Sequence, residues 1–158
     1  MAKHWPNPRY EVRVSFNAPL DFVYQWCTDF TPKDAQYETE DYERRILRRS
    51  SREVVFEDLE DAKNGWIWSR HVVRLLPPNR WRSDSVGSLR AYALDYRLSR
   101  LPGNRTQLIL KARRRPYGIG KKNPPKAQWE RSTTAAWKSF ARALERDYQK
   151  GSSQAAGK

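Results

Sequence analysis

Between Tyr10 and Phe30 the spacing of the apolar positions changes once. Val12, Val14 and Phe16 alternate with Glu11, Arg13 and Ser15, the period of a half-buried strand. Phe22, Val23, Trp26, Cys27 and Phe30 then recur at helical spacing. The change falls on Asn17 to Pro19. Proline suits the first turn of a helix, because its φ is already fixed there and its missing N–H has no partner to lose. On this reading Asn17 or Ala18 caps the helix, and Asp21 complements the positive end of its dipole.

Further along, residues 31–42 show no sustained period and read as a loop or a short second helix. Short runs follow that carry Ile, Leu, Val, Phe and Trp between charges: 44–50, 52–60, 66–76, 80–86, 89–101 and 105–115. Their bounds are turn signals. Ser50-Ser51, Asn64-Gly65, Pro77-Pro78, Gly87-Ser88 and the Pro-Gly-Asn at 102–104 each suit a chain reversal. Six strands in a row are therefore predicted after the first helix. From Pro124-Pro125 the period becomes helical for good, with Trp129, Thr133, Ala136, Trp137, Phe140, Ala141, Leu144 and Tyr148 stepping by three and four. Gly151 reads as the end of that helix and 151–158 as a flexible tail. No repeat or second domain interrupts 9–150.

Composition narrows the class. A chain of 158 residues can bury a real core as one domain. With aromatics at 13%, including seven Trp, general disorder is excluded despite 31% charged residues. The single cysteine excludes an internal disulfide and a multi-cysteine zinc site, and it suits a reducing cytosol. Two histidines, His4 and His71, exclude a multi-histidine metal site, and no cofactor motif occurs. The Gly118-x-Gly120 in 117–123 lacks the spacing of a nucleotide loop and reads as a hinge. A signal peptide and a membrane-spanning run are both missing from the pattern, so a cytoplasmic protein is expected. The formal charge of +13 attracts polyanions of any kind, without choosing among nucleic acid, anionic membrane and acidic ligand.

The order of these features resembles the START-like or Bet v 1-like superfamily of polyketide cyclase/dehydrase and lipid-transport proteins. The residues that carry the likeness are Asn17-Ala18-Pro19 leading to Val23, Trp26 and Asp29; the strand end at 75–78 followed by Arg80-Trp81; the stretch 95–108; and the helix at 137–148. The resemblance implies an α+β helix-grip fold, a curved seven-stranded antiparallel sheet around the long C-terminal helix, with an apolar cavity between them. It implies binding of a hydrophobic or aromatic small molecule, such as a lipid, isoprenoid or polyketide-like compound. The acidic stretch between Thr31 and Tyr42 departs from many relatives at the expected cavity mouth.

Trp26, Phe30, Trp66, Trp68, Tyr92, Tyr96, Trp129, Trp137 and Phe140 are the expected lining, since large rings cover area with few rotatable bonds. Whether they line a pocket or simply fill it stays open, as does the strand face that points inward. Catalysis, were it of the cyclase/aromatase type, would draw on His71, Arg70 or Tyr96 to polarise a carbonyl and move protons, with Tyr92 and Asp95 as further groups. Arg113, Arg114, Arg115, Lys121 and Lys122 are the expected polyanion surface, for RNA, a ribosome or an anionic membrane. Oligomeric state leaves no mark on the sequence.

Overall fold

In the computed structural model, which describes residues 9–37, 41–63, 65–117 and 121–156, seven strands form one antiparallel sheet. They are β1 (Tyr10–Phe16), β2 (Tyr42–Arg49), β3 (Glu53–Ala62), β4 (Gly65–Leu76), β5 (Arg80–Gly87), β6 (Arg90–Leu101) and β7 (Arg105–Pro116). Among the described residues, two α-helices, α1 (Leu20–Cys27) and α2 (Lys126–Ala156), and a 3-10 helix (Pro32–Tyr37) accompany the sheet. The sheet order is β1-β7-β6-β5-β4-β3-β2, so every neighbour except the β1–β7 pair is joined by a hairpin. The chain has the α+β helix-grip architecture that the resemblance implies.

Three of the turns work as their residues suggest. Ser50 N–H donates to the Glu53 carbonyl at 2.8 Å, closing the β2–β3 reversal. Gly103 and Asn104 take φ of 76° and 56°, the left-handed region that these two residue types tolerate. The cis Pro77-Pro78 bond ends β4. Asn64, residues 118–120 and His4 lie outside the described residues, so the Asn64-Gly65 turn and the glycine hinge are described only at their edges.

Helix limits differ from the sequence reading at three points. Pro19 is itself the cap of α1, with φ −68° and ψ 153°, and its carbonyl accepts from Val23 N–H at 3.0 Å. An extended proline meets both needs of a cap position, so neither Asn17 nor Ala18 serves. Phe30 falls beyond the helix with φ 44°, which turns its ring away to stack on Phe56 at 5.4 Å. At the other end α2 runs through Gly151 to Ala156. Glycine lowers helix propensity by about 1 kcal/mol without forbidding a helix, and no proline follows to stop this one.

The core lies between one sheet face, α1 and α2. Val12, Val14 and Phe16 of β1, Val54 and Phe56 of β3, Val73 of β4, Trp81 of β5, Leu98 of β6 and Leu108 and Leu110 of β7 all point there. They meet Leu20 and Val23 of α1 and Ala141 and Leu144 of α2. Ala143 is buried as well, whereas Ala136, placed on the apolar stripe by period alone, is exposed. β1 is a sheet edge, and α2 accepts one backbone donor near the strand's start and one just past its end. Glu11 N–H donates to Glu130 Oε1 at 2.8 Å and Asn17 N–H donates to Glu145 Oε1 at 2.7 Å. Trp26 Nε1–H donates to Asp147 Oδ2 at 2.9 Å, which ties α1 to the same helix.

Candidate functional site

The inner row of β5 explains why the sheet and helix do not close on each other. Trp81, Ser83, Ser85 and Gly87 alternate along it, so side-chain volume falls from a full indole to nothing. Trp81 fills one end, 2% exposed and stacked on Tyr96 at 4.8 Å. The small residues leave the other end open. Gly87 is required there, since a Cβ on it would overlap the Trp68 carbonyl oxygen and crowd Ser69 Cβ at 3.1 Å. The result is a cavity of about 350 Å³ between the sheet and the helices.

One wall is aromatic. Trp26, Phe30, Trp81, Tyr96, Trp137 and Phe140 line it, with Trp137 5.4 Å from Phe140 and 5.8 Å from Tyr96 between ring centres. The opposite end is polar, and the strand register builds it. Arg44 on β2 faces Asp58 on β3, which faces Ser69 on β4; one step along, Phe56 faces His71, and His71 faces Ser85. All five polar residues line the cavity. Arg44 grips Asp58 through two bonds, Nε to Oδ1 at 2.8 Å and Nη2 to Oδ2 at 2.9 Å, and reaches Asp34 Oδ2 at 2.5 Å. Its guanidinium also lies over the Phe56 ring at 4.1 Å. Burial disfavours the charge on Arg44, yet the bonds to Asp58 and the field of Asp34 more than offset it and hold the proton more firmly than usual.

His71 is stacked on Phe56 at 4.6 Å and nearly parallel to it, with Nε2 3.0 Å from Ser69 Oγ and 3.8 Å from Asp58 Oδ2. Burial lowers its pKa to about 4 against the pull of Asp58, so the ring is neutral at neutral pH and can both donate and accept a proton. Asp29 lines the cavity while staying exposed at its rim. Desolvation, reinforced by Asp34, raises its carboxyl to about 6 against Arg49 and Arg44. Burial pushes the Cys27 thiol far up, so it is an inert thiol. Among the described residues no cluster of three or more potential metal ligands occurs.

Of the residues that the sequence singles out, Trp26, Phe30, Tyr92, Tyr96, Trp137 and Phe140 come together around this cavity, and His71 joins them. Trp66, Arg70 and Trp129 do not. Trp66 and Arg70 alternate onto the outer sheet face, where Trp66 is 59% exposed and Arg70 pairs with Glu57 at 2.6 Å. Trp68 shares that face and touches the cavity only at the rim. Trp129 packs beside the cavity, on Tyr10 at 4.5 Å. Asp95 also faces outward and is clamped by Arg80 and Arg82, which hold its carboxyl below the usual range despite its partial burial. Arg44, Asp58, Asp34 and the serines have no separate sequence signal. Charged residues alternating on a strand point to water by default, and only the register reveals that Arg44 and Asp58 share the inner face.

The basic stretch does not form one surface. Arg113 is exposed on the outer face, whereas Arg114 turns inward to donate to Tyr92 Oη at 3.2 Å and Asn123 Oδ1 at 3.1 Å. Lys121 and Lys122 are exposed ahead of α2, and Arg115 sits on β7 with Arg113. Four strands separate β7 from the arginines of β2. Among the described residues no helix is long and apolar enough to cross a membrane.

No protein-family model matches the sequence, and no curated protein matches it. Solved structures do. A protein from Thermus thermophilus is similar over 92% of this chain and 99% of its own, with a TM-score of 0.71 at 14% identity. The Zhui aromatase/cyclase from a Streptomyces species is similar over 90% of this chain and 93% of its own, with a TM-score of 0.66 at 17% identity. A START superfamily protein from Mycobacterium smegmatis is similar over 90% of this chain and 97% of its own, with a TM-score of 0.65 at 14% identity. At such identities the likeness is one of fold.

Proposed function

We propose that this protein binds a flat, largely apolar small molecule in the cavity between the sheet and α2. One observation carries the reading. The aromatic wall is left unfilled, because Ser83, Ser85 and Gly87 withhold the side chains that would close it, and the space of about 350 Å³ suits a ligand of two or three fused rings or a short lipid chain. An empty apolar space of that size costs stability that a protein with no ligand would recover by larger residues on β5. Arg44, Asp58, Ser69 and His71 give the cavity a polar end, which orients whatever enters. Native mass spectrometry of freshly purified protein is the test. A co-purifying mass that disappears on mild denaturation supports the reading; protein that carries no ligand and takes up no naphthalene-type probe contradicts it.

A second reading, catalysis of the cyclase/aromatase type, draws on a specific pair. His71 and Ser69 lie 3.0 Å apart on the cavity wall, and the ring is neutral at neutral pH and able to relay a proton. The Zhui aromatase/cyclase shares the fold. Under this reading His71→Gln abolishes turnover of a poly-β-keto substrate and leaves its binding intact; under simple binding there is no turnover to lose.

A further inference from the structure

We propose that the cavity selects a ligand whose flat apolar body carries a cationic nitrogen, and rejects one that carries a carboxylate or phosphate. The inference rests on the binding reading above and names the ligand class for that same site. Among the described residues, the charged side chains that line the cavity are Asp29, Asp34, Asp58 and Glu60 against Arg44 and Arg90, four carboxylates against two guanidinium groups. The balance inside is therefore opposite in sign to the +13 of the whole chain.

Position sharpens the imbalance. An anionic head group needs a buried cation with several free donors, and four of the five N–H groups of Arg44 are already engaged. Its Nε and Nη2 are bound by Asp58 and its Nη1 by Asp34, and Nη2 also lies 3.5 Å from Tyr42 Oη. Arg90 is only half-buried, and its guanidinium lies over the Tyr92 ring at 5.8 Å. His71 adds no charge at neutral pH. What the polar end offers a ligand is acceptor oxygen: Asp29 at the rim, Glu60 and the Ser69, Ser83 and Ser85 hydroxyls. The aromatic lining, which includes Trp26, Tyr96 and Trp137, favours the same sign, because the face of an aromatic ring attracts cations.

The positive outer surface does not cancel this preference. Exposed charges are screened over about 8 Å at physiological ionic strength, whereas partly buried ones such as Asp34 and Asp58 are screened much less. Asp29 is faced by Asp34 from the 3-10 helix, by Arg49 and Arg44 from β2, and by the Cys27 thiol of α1. With its carboxyl raised to about 6, it is ionised at pH 7.5 and mostly protonated at pH 5.

Three probes that share one ring system separate charge selectivity from cavity binding: 1-naphthylmethylamine, 1-naphthalenemethanol and 1-naphthaleneacetate, titrated by fluorescence at pH 7.5 and pH 5. The expected result is an amine at least tenfold tighter than the acetate at pH 7.5, with the alcohol between them. On going to pH 5 the amine weakens and the alcohol does not move. Asp29→Asn with Glu60→Gln is expected to bring the amine's affinity at pH 7.5 down to that of the alcohol in the same variant. Acetate binding as tight as the amine, or an amine preference that survives the double substitution, overturns the proposal while the cavity reading stands. Failure of all three probes to bind the wild type overturns both.

Discussion

Gly87 shows how one position decides whether there is a site. It ends the inner row of β5 against the Trp68 backbone, so Gly87→Ala forces the β4–β5 pair apart, with an expected loss of roughly 1–3 kcal/mol in urea unfolding. His71 and Asp29 make the pH dependence of stability a second test. The folded state holds His71 at about 4, below its unfolded value, so its contribution is present above pH 6.5 and is lost as pH falls towards 4. That difference amounts to roughly 3 kcal/mol, and His71→Gln is expected to flatten this part of the urea-midpoint profile. Asp29 acts in the opposite sense: its raised carboxyl contributes stability only in acid, and this is lost as pH rises through about 6. Asp29→Asn is therefore expected to raise the urea midpoint at pH 7 and not at pH 4. Neither role was legible in the sequence, where His71 is one residue of a charged strand. A one-residue change of register would have put it in water and Arg70 in the cavity.

Among the elements, the strands and α2 were the most legible, because a period of two and one of 3.6 survive any detail of packing. β2 to β7 fall on the six predicted runs, and the apolar stripe of α2 joins the core at Trp137, Ala141 and Leu144, with Phe140 packed against Trp26 and Tyr37. Boundaries were less legible, since they depend on single residues with more than one solution, as Pro19 and Gly151 demonstrate. The two parts of α2 have different weight. Leu144 is fully buried, so Leu144→Ala is expected to cost about 2–5 kcal/mol in denaturant unfolding. Residues 151–155 are helical but exposed, so truncation after Lys150 is expected to change stability by less than about 0.5 kcal/mol. A large loss on truncation would mean that the last turn is packed against something.

For the molecule as a whole, shape and charge lead to different conclusions. The outer arginines are spread over several strands and partly neutralised by acids across the sheet, as in Arg70–Glu57, Arg48–Glu53 and Arg80–Asp95. The cavity instead concentrates aromatic area and acceptor oxygens in one place. The fold was legible from the order of elements, but the open space was not. It results from which small residues happen to share the inner face of β5, and no period records volume. The most direct test of the account is therefore a cavity-filling substitution. Ser85 is buried on the cavity wall, and Ser85→Phe places a ring where the ligand is held to lie. Titration with the neutral probe N-phenyl-1-naphthylamine is expected to show saturable one-to-one binding to the wild type, weakened at least tenfold in Ser85→Phe, with the urea midpoint of the variant no lower than that of the wild type. No saturable binding to the wild type, or equal affinity in the filled variant, would contradict the account.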